Sequence, residues 1–162
     1  MAASEQRATF VPPGQGKKLW VAEELITFKV SGGDTGGAYA LTDSVVPPGG
    51  SSPPHLHHRE DEAFWVLEGE LEISVGEDRF KAVAGSFVHL PRGTIHSYLN
   101  VGAGPARFLT LMVPAGLERF FEAVGKPDTE QPSPPPFTEE DLDRLLAAAP
   151  EYGVEITPPP EP

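Results

Sequence analysis

The chain contains no cysteine. Disulfides, thiol nucleophiles and every zinc site that relies on thiolate are thereby excluded. Positive charge is also scarce. Twelve Lys and Arg stand against 24 Asp and Glu, a formal net charge of −12 over 162 residues. Such a surface repels phosphate, so neither nucleic acid nor an anionic membrane is an expected partner. No apolar run reaches the length of a membrane span, and MAASEQRATF has no basic segment leading into an apolar one. A cytoplasmic protein is the expectation.

Turn formers are abundant instead, with 17 Gly and 19 Pro. Together with a length suited to one core, they point to an all-β domain. LWVAEELITFKV (19–30) reads as a strand or a broken strand pair, SGGDTGGA as a turn, and YALTDSVV as a strand. After PPGGSSPP come six short segments, each punctuated by Gly or Pro: AFWVLEG, ELEISVG, DRFKAVA, SFVHLP, HSYLNVG and ARFLTLMVP. Regular short strands of this kind make a sandwich or a small barrel.

Beyond Pro114 the period changes. Leu117, Phe120, Phe121 and Val124 recur at helical spacing, with Gly125 placed to close the helix in a left-handed conformation. KPDTEQPSPPP is a stiff linker. A second helix is expected from the N-cap Thr138, with Phe137 and Leu142 as a hydrophobic staple and Leu142, Leu145, Leu146 and Ala149 as its apolar stripe. TPPPEP reads as a frayed tail. The expected organisation is an N-terminal arm (1–18), a β-barrel (19–114) and a helical extension with a Pro-rich linker and tail (115–162).

All five histidines lie between residues 55 and 96. In HLHHREDE (55–62), strand alternation puts His55 and His57 on one face and His58 on the other. The H-x-H pair can thus converge on one ion, and a bend can return Glu62 to it. His96 follows the tight turn Pro91-Arg92-Gly93. Imidazole with carboxylate suits a divalent Fe, Mn, Co, Ni, Cu or Zn ion. Phe64 shares strand parity with Glu62, and Tyr98 with His96, so both are expected to face the interior and touch a ligand. His58 reads as solvated, His89 as packed or on the surface, and Arg59, Glu60 and Asp61 as a solvated charge cluster. Asn100 reads as a turn stabiliser. The aromatic set Phe64, Phe87, Tyr98 and Phe108 reads mainly as core, and Phe120 and Phe121 as pins holding the first helix to the barrel.

Two spacings carry a resemblance. Gly49, His55, His57, Glu62 and Gly69 fit G(X)5HXH(X)4E(X)6G, and Gly85, Pro91, Gly93, His96 and Asn100 fit G(X)5PXG(X)2H(X)3N. In these the chain resembles the single-domain cupins, and PPHLHHREDEAFWVLEGELEI with GLERFFEAVGKP looks most like their bacterial quercetin dioxygenase-like group. The resemblance implies a jelly-roll barrel of two antiparallel sheets, with one divalent metal held by His55, His57, Glu62 and His96. It further implies that Glu62 is also the base in an O2-dependent cleavage of a flavonol, with release of carbon monoxide. A non-oxidative metal-dependent isomerase, cyclase or hydrolase and a non-catalytic binding protein remain the alternatives. A homodimer is expected, paired through the apolar segment Leu19–Val30.

Overall fold

A computed structural model describes residues 6–157. Two antiparallel sheets face one another. The larger has the order β11-β1-β2-β3-β10-β5-β8 and the smaller β12-β4-β9-β6-β7. In chain order the strands are β1 (Lys18–Val21), β2 (Glu24–Val30), β3 (Ala40–Val46), β4 (His55–His57), β5 (Asp61–Glu68) and β6 (Glu70–Val75). There follow β7 (Asp78–Val83), β8 (Phe87–Leu90), β9 (His96–Asn100), β10 (Ala106–Val113), β11 (Lys126–Pro127) and β12 (Val154–Ile156). The helices are α1 (Gly32–Thr35), α2 (Leu117–Val124) and α3 (Glu139–Ala148). This is the all-β jelly-roll, or double-stranded β-helix, with short C-terminal helices. Of the two expectations for 19–30, a strand or a broken strand pair, the second is found, as the hairpin β1–β2, and all six Gly/Pro-bounded segments are strands.

Alternation builds the interior. Along β10, Ala106, Phe108, Thr110 and Met112 are buried, while their neighbours are not fully so. Phe108, Val66, Leu71 and Ile73 pack between the sheets and close one end of the barrel. Gly69 joins β5 to β6 at φ 80°, and a Cβ there would meet the Pro105 carbonyl at 2.7 Å. The position therefore requires glycine for both backbone and space. Asn100 is buried as a turn stabiliser. Its amide donates to the carbonyls of Val46 and Gly104, and its oxygen accepts from the Gly102 N–H.

The C-terminal segment returns to the barrel. β11 pairs with β1, and β12 pairs with β4. Leu117, Phe120 and Val124 of α2 pack with Met112, Ala149 and Val154 in one buried cluster. Thr138 caps α3 as expected, its backbone N–H donating to Asp141 Oδ2 at 2.8 Å. Phe137 and Leu142 both remain about half exposed.

Three local expectations need correction. Gly125 is extended (φ −74°, ψ 156°), not left-handed, and leads into β11. What demands glycine there is proximity, since a Cβ would lie 2.7 Å from the Phe121 carbonyl and 3.1 Å from Leu19 Cβ. The buried side of α3 is Asp141, Leu145, Ala148 and Ala149, while Leu142 and Leu146 are 44% and 48% exposed. The Lys126 ammonium on β11 donates to Asp141 Oδ2 at 2.6 Å and sets the helix face. SGGDTGGA is not only a turn, because Ser31 and Asp34 cap a single helical turn there. Of the expected tail, residues 158–162 lie outside the described residues. None of the described helices is long and apolar enough to cross a membrane.

Candidate metal centre and cavity

β4 is three residues long and lies between β9 and β12. Its register sets His55 opposite His96. The Pro91-Arg92-Gly93 turn is fastened on both sides. The Gly93 N–H donates to the His57 carbonyl at 2.8 Å, and the Arg92 N–H donates to Asp61 Oδ1 at 2.9 Å. A fixed distance between the His57 backbone and the turn that leads to His96 thus follows from backbone pairing. Glu62 arrives from β5 on the opposite sheet. Its Oε2 lies 2.8 Å from His57 Nε2 and 3.0 Å from His96 Nε2. One ligand atom from each of His55, His57, Glu62 and His96 falls within 4.8 Å of all the others.

The hydrogen bonding favours a cation. His55 Nδ1 lies 2.7 Å from the Pro53 carbonyl and His96 Nδ1 3.2 Å from the Thr94 carbonyl. A carbonyl only accepts, so each Nδ1 carries the hydrogen and each Nε2 presents a lone pair. His57 Nδ1 and Nε2, Glu62 Oε2 and His96 Nε2 are buried without an aligned hydrogen-bond partner. Leaving such groups unpaired is costly, and a cation at their centre would satisfy those that converge. Metal–ligand bonds of about 2.1 Å put opposite donors about 4 Å apart, so the cluster needs only small side-chain adjustment to close on an ion.

Charge is graded across the cluster. Burial and the neighbouring imidazoles of His96 and His57 lower the His55 pKa to about 4, which keeps it neutral. Burial pulls His57 down as well, but the Glu62 carboxylate outweighs it and raises the pKa. Glu62 is pushed up by burial and pulled down further by His57 and His96, so it is held well below the usual carboxylate range.

Above the cluster opens a cavity of ≈ 660 Å³, counting its mouth. Phe64 and Tyr98 line it, as strand parity predicted, with ring centroids 6.1 Å apart. The C-terminal segment supplies much of the remaining wall through Phe120, Phe121, Leu145, Val154 and Ile156. Phe120 and Phe121 therefore do more than pin α2. The sequence reading missed Glu24, which also lines the cavity and whose Oε2 accepts the Tyr98 hydroxyl at 2.7 Å. A signal existed: Glu24 shares strand parity with the buried Ile26 and Phe28, so it is a charge on a core face. Burial pushes the Glu24 pKa up, and burial together with the Glu24 charge pushes Tyr98 well above the ordinary phenol value.

Other residues fall as follows. His58 is exposed and pairs with Glu155 at 2.9 Å, and His89 is exposed. Glu60 is not part of a solvated cluster. It is 3% exposed, near His57 and the start of α2, and burial raises its pKa. Phe87 is not core either. It lies on the outer face of the edge strand β8, 62% exposed, beside Trp65.

Fold and site together give a two-sheet jelly-roll, the fold that cupins share, with a His₃Glu cluster between its sheets. Residues 43–114 match the family described as Cupin domain. Among curated proteins the chain is similar to quercetin 2,3-dioxygenase of Bacillus subtilis (strain 168), 24% identical over 136 residues, 84% of this chain and 40% of that protein. The chain thus spans less than half the length of this relative. Among solved structures it superposes on KdgF from Halomonas sp. with a TM-score of 0.61 and 16% identity, covering 67% of this chain and 94% of that one. It superposes equally, at 20% identity, on a structure titled a predicted oxalate decarboxylase from Thermotoga maritima, covering 65% and 98%. At these identities the structural likeness shows the fold alone.

Proposed function

We propose that this chain is a metal-dependent dioxygenase that opens a flavonol-like, quercetin-type aromatic with O2. The observation that carries the reading is the convergence of three imidazoles and one carboxylate at the end of an aromatic-walled cavity. The similarity to a quercetin 2,3-dioxygenase over most of the chain supports the substrate class. On this reading His55, His57, Glu62 and His96 hold one divalent transition metal. When bound, the ion would acidify a substrate hydroxyl and promote its reaction with O2.

The side chains do the rest. Glu62, held ionised by its neighbours, takes the proton of that hydroxyl at a carboxylate oxygen. Phe64 and Tyr98 flank the ring. Phe120, Phe121 and Leu145 add apolar wall that keeps water from the deprotonated substrate.

The test is oxygen uptake and carbon monoxide release from quercetin by protein loaded in turn with Fe, Mn, Co, Ni and Cu. Glu62→Gln should lower turnover per bound metal by about 10²–10⁴-fold. No uptake with any of these metals rejects the reading. Turnover without O2 would then mark a non-oxidative isomerase, cyclase or hydrolase, and binding without turnover a binding protein.

We also propose a homodimer, but not through Leu19–Val30, because β11 already takes the free edge of β1. A remaining liability is the edge strand β8 with the exposed pair Trp65 (53%) and Phe87 (62%), the most exposed apolar side chains beside a sheet edge, ring centroids 6.5 Å apart. A second copy meeting this face about a two-fold axis covers both. Light scattering at micromolar concentration should give twice the chain mass, and Trp65→Glu should halve it. A single-chain mass for the unaltered protein rejects the dimer.

A further inference from the structure

We propose that Glu24 and Tyr98 form a second recognition point in the cavity, which accepts a hydrogen bond from a neutral hydroxyl on the ligand other than the one the metal centre would take. The inference rests on the flavonol reading for its substrate class and adds to it a requirement for a second, uncharged hydroxyl.

Three observations carry it. First, the pair is built as the metal centre is. A carboxylate on the larger sheet meets a side chain of β9 on the smaller one, and both line the cavity. Second, the pair is short of donors. A carboxylate offers about four lone-pair positions; the Tyr98 hydroxyl fills one and the buried Ser44 hydroxyl stands beside the carboxylate without an aligned bond, so at least two remain open. Among the described residues Glu24 takes part in no ion pair, and no Lys or Arg lines the cavity. The Tyr98 oxygen keeps a lone pair as well. Third, apart from the metal cluster and the hydroxyls of Ser52 and Thr110 the cavity wall is apolar, so a buried carboxylate there is costly unless a ligand donor completes its hydrogen bonds.

The charge balance then selects the ligand. The metal centre has cationic capacity for one deprotonated hydroxyl. At Glu24 there is none, so a second anionic group would face a carboxylate without a counter-ion. A ligand bearing a carboxylate at that point is disfavoured, and a polyhydroxylated neutral aromatic is favoured.

The probes are quercetin and 3-hydroxyflavone, which share the chelating hydroxyl and ketone but differ in ring hydroxyls. Binding is measured by calorimetry, without O2, on zinc-loaded protein, because zinc is redox-inert and separates binding from turnover. Unaltered protein should bind quercetin about 10- to 100-fold more tightly than 3-hydroxyflavone, the range for a hydrogen bond to a charged group. Glu24→Leu should erase that preference while keeping one zinc per chain. Tyr98→Phe, which leaves the carboxylate but frees its orientation, should reduce the preference by a smaller factor and provides the second variant if Glu24→Leu does not fold.

Equal affinity for the two flavonols, or a preference that survives both substitutions, overturns the proposal. In either case, oxygen uptake with quercetin would still uphold the dioxygenase. Conversely, a Glu24-dependent preference without oxygen uptake upholds the recognition point and rejects the dioxygenase. Failure of both flavonols to bind overturns both.

Discussion

Glu62 and Glu24 stand on the same sheet, with β3 and β10 between their strands, and line the same cavity. Their chemistry is opposite. Glu62 faces the imidazoles of His57 and His96 and is held ionised. Glu24 faces a phenol that keeps its proton, and its pKa rises. Burial acts on both in the same direction, so it is the partner on the smaller sheet that decides the outcome. β4 and β9 supply three imidazoles to one carboxylate, and β9 supplies one hydroxyl to the other. The same cavity wall thus carries one carboxylate set among imidazoles that suit a cation and one set against a neutral hydroxyl.

The largest effect that tests this contrast is at the imidazole cluster. His57→Ala removes a buried ligand atom and should weaken metal binding by on the order of 100-fold or more, beyond the loss typical of an outer partner. His58→Ala alters only an exposed pair with Glu155 and should keep one metal per chain. Elemental analysis of both variants, purified side by side, decides the matter. Equal loss in the two would mean that β4 does not present alternate faces.

A smaller effect is expected at Glu24. A carboxyl whose folded pKa is raised favours the protonated native state. Stability from this group is therefore full below the unfolded value of about 4.3 and declines as pH rises past it. Glu24→Gln removes that penalty and keeps an oxygen for Tyr98. The variant should melt a few °C higher than the unaltered protein at pH 7, with the difference shrinking toward pH 4. A variant that melts lower at pH 7 would show that Glu24 is stabilised in its site, as Glu62 is, and would collapse the comparison.

How much of this was legible differs between the two carboxylates. The imidazole cluster lies in one local stretch plus one turn, and strand parity with fixed spacing is enough to bring His55, His57, Glu62 and His96 together. Phe64 and Tyr98 follow by the same parity. The other carboxylate depends on pairing between distant strands. Glu24 meets Tyr98 across 74 residues, and no local pattern contains that contact; only the charge on the core face of β2 could have singled the residue out, and it was missed. Glu60 gave no signal at all, since it stands in a charge run whose other members, Arg59 and Asp61, are indeed solvent-facing or surface-paired. The wall formed by Val154 and Ile156 was hidden for a related reason, since β12 pairs with the distant β4, and Leu145 was expected on an apolar stripe but not in the cavity. Helical spacing identified α3, but the ion pair between Lys126 and Asp141 selects which side of it turns inward.

That ion pair provides the mildest test, because it acts on the cavity only through α3. Hydrogen bonds from Lys126 and the Thr138 N–H lower the Asp141 pKa to about 2. For a carboxyl whose folded pKa is depressed, the stabilisation is fully present above the unfolded value of about 3.9 and is lost as pH falls toward 2. The C-terminal cover should therefore loosen within that window, ahead of the barrel if the two are separable. Asp141→Asn, which keeps the side-chain shape but not the charge, should show the looser cover already at neutral pH. Amide hydrogen exchange reads this directly: protection of Leu145 and Ala148 should fall in the variant at pH 7, while that of Phe108 in the closed end of the barrel stays unchanged. Equal loss of protection at both places would mean that the cover and barrel open as one unit. The wall above Phe64 and Tyr98 would then be as fixed as the metal centre below it.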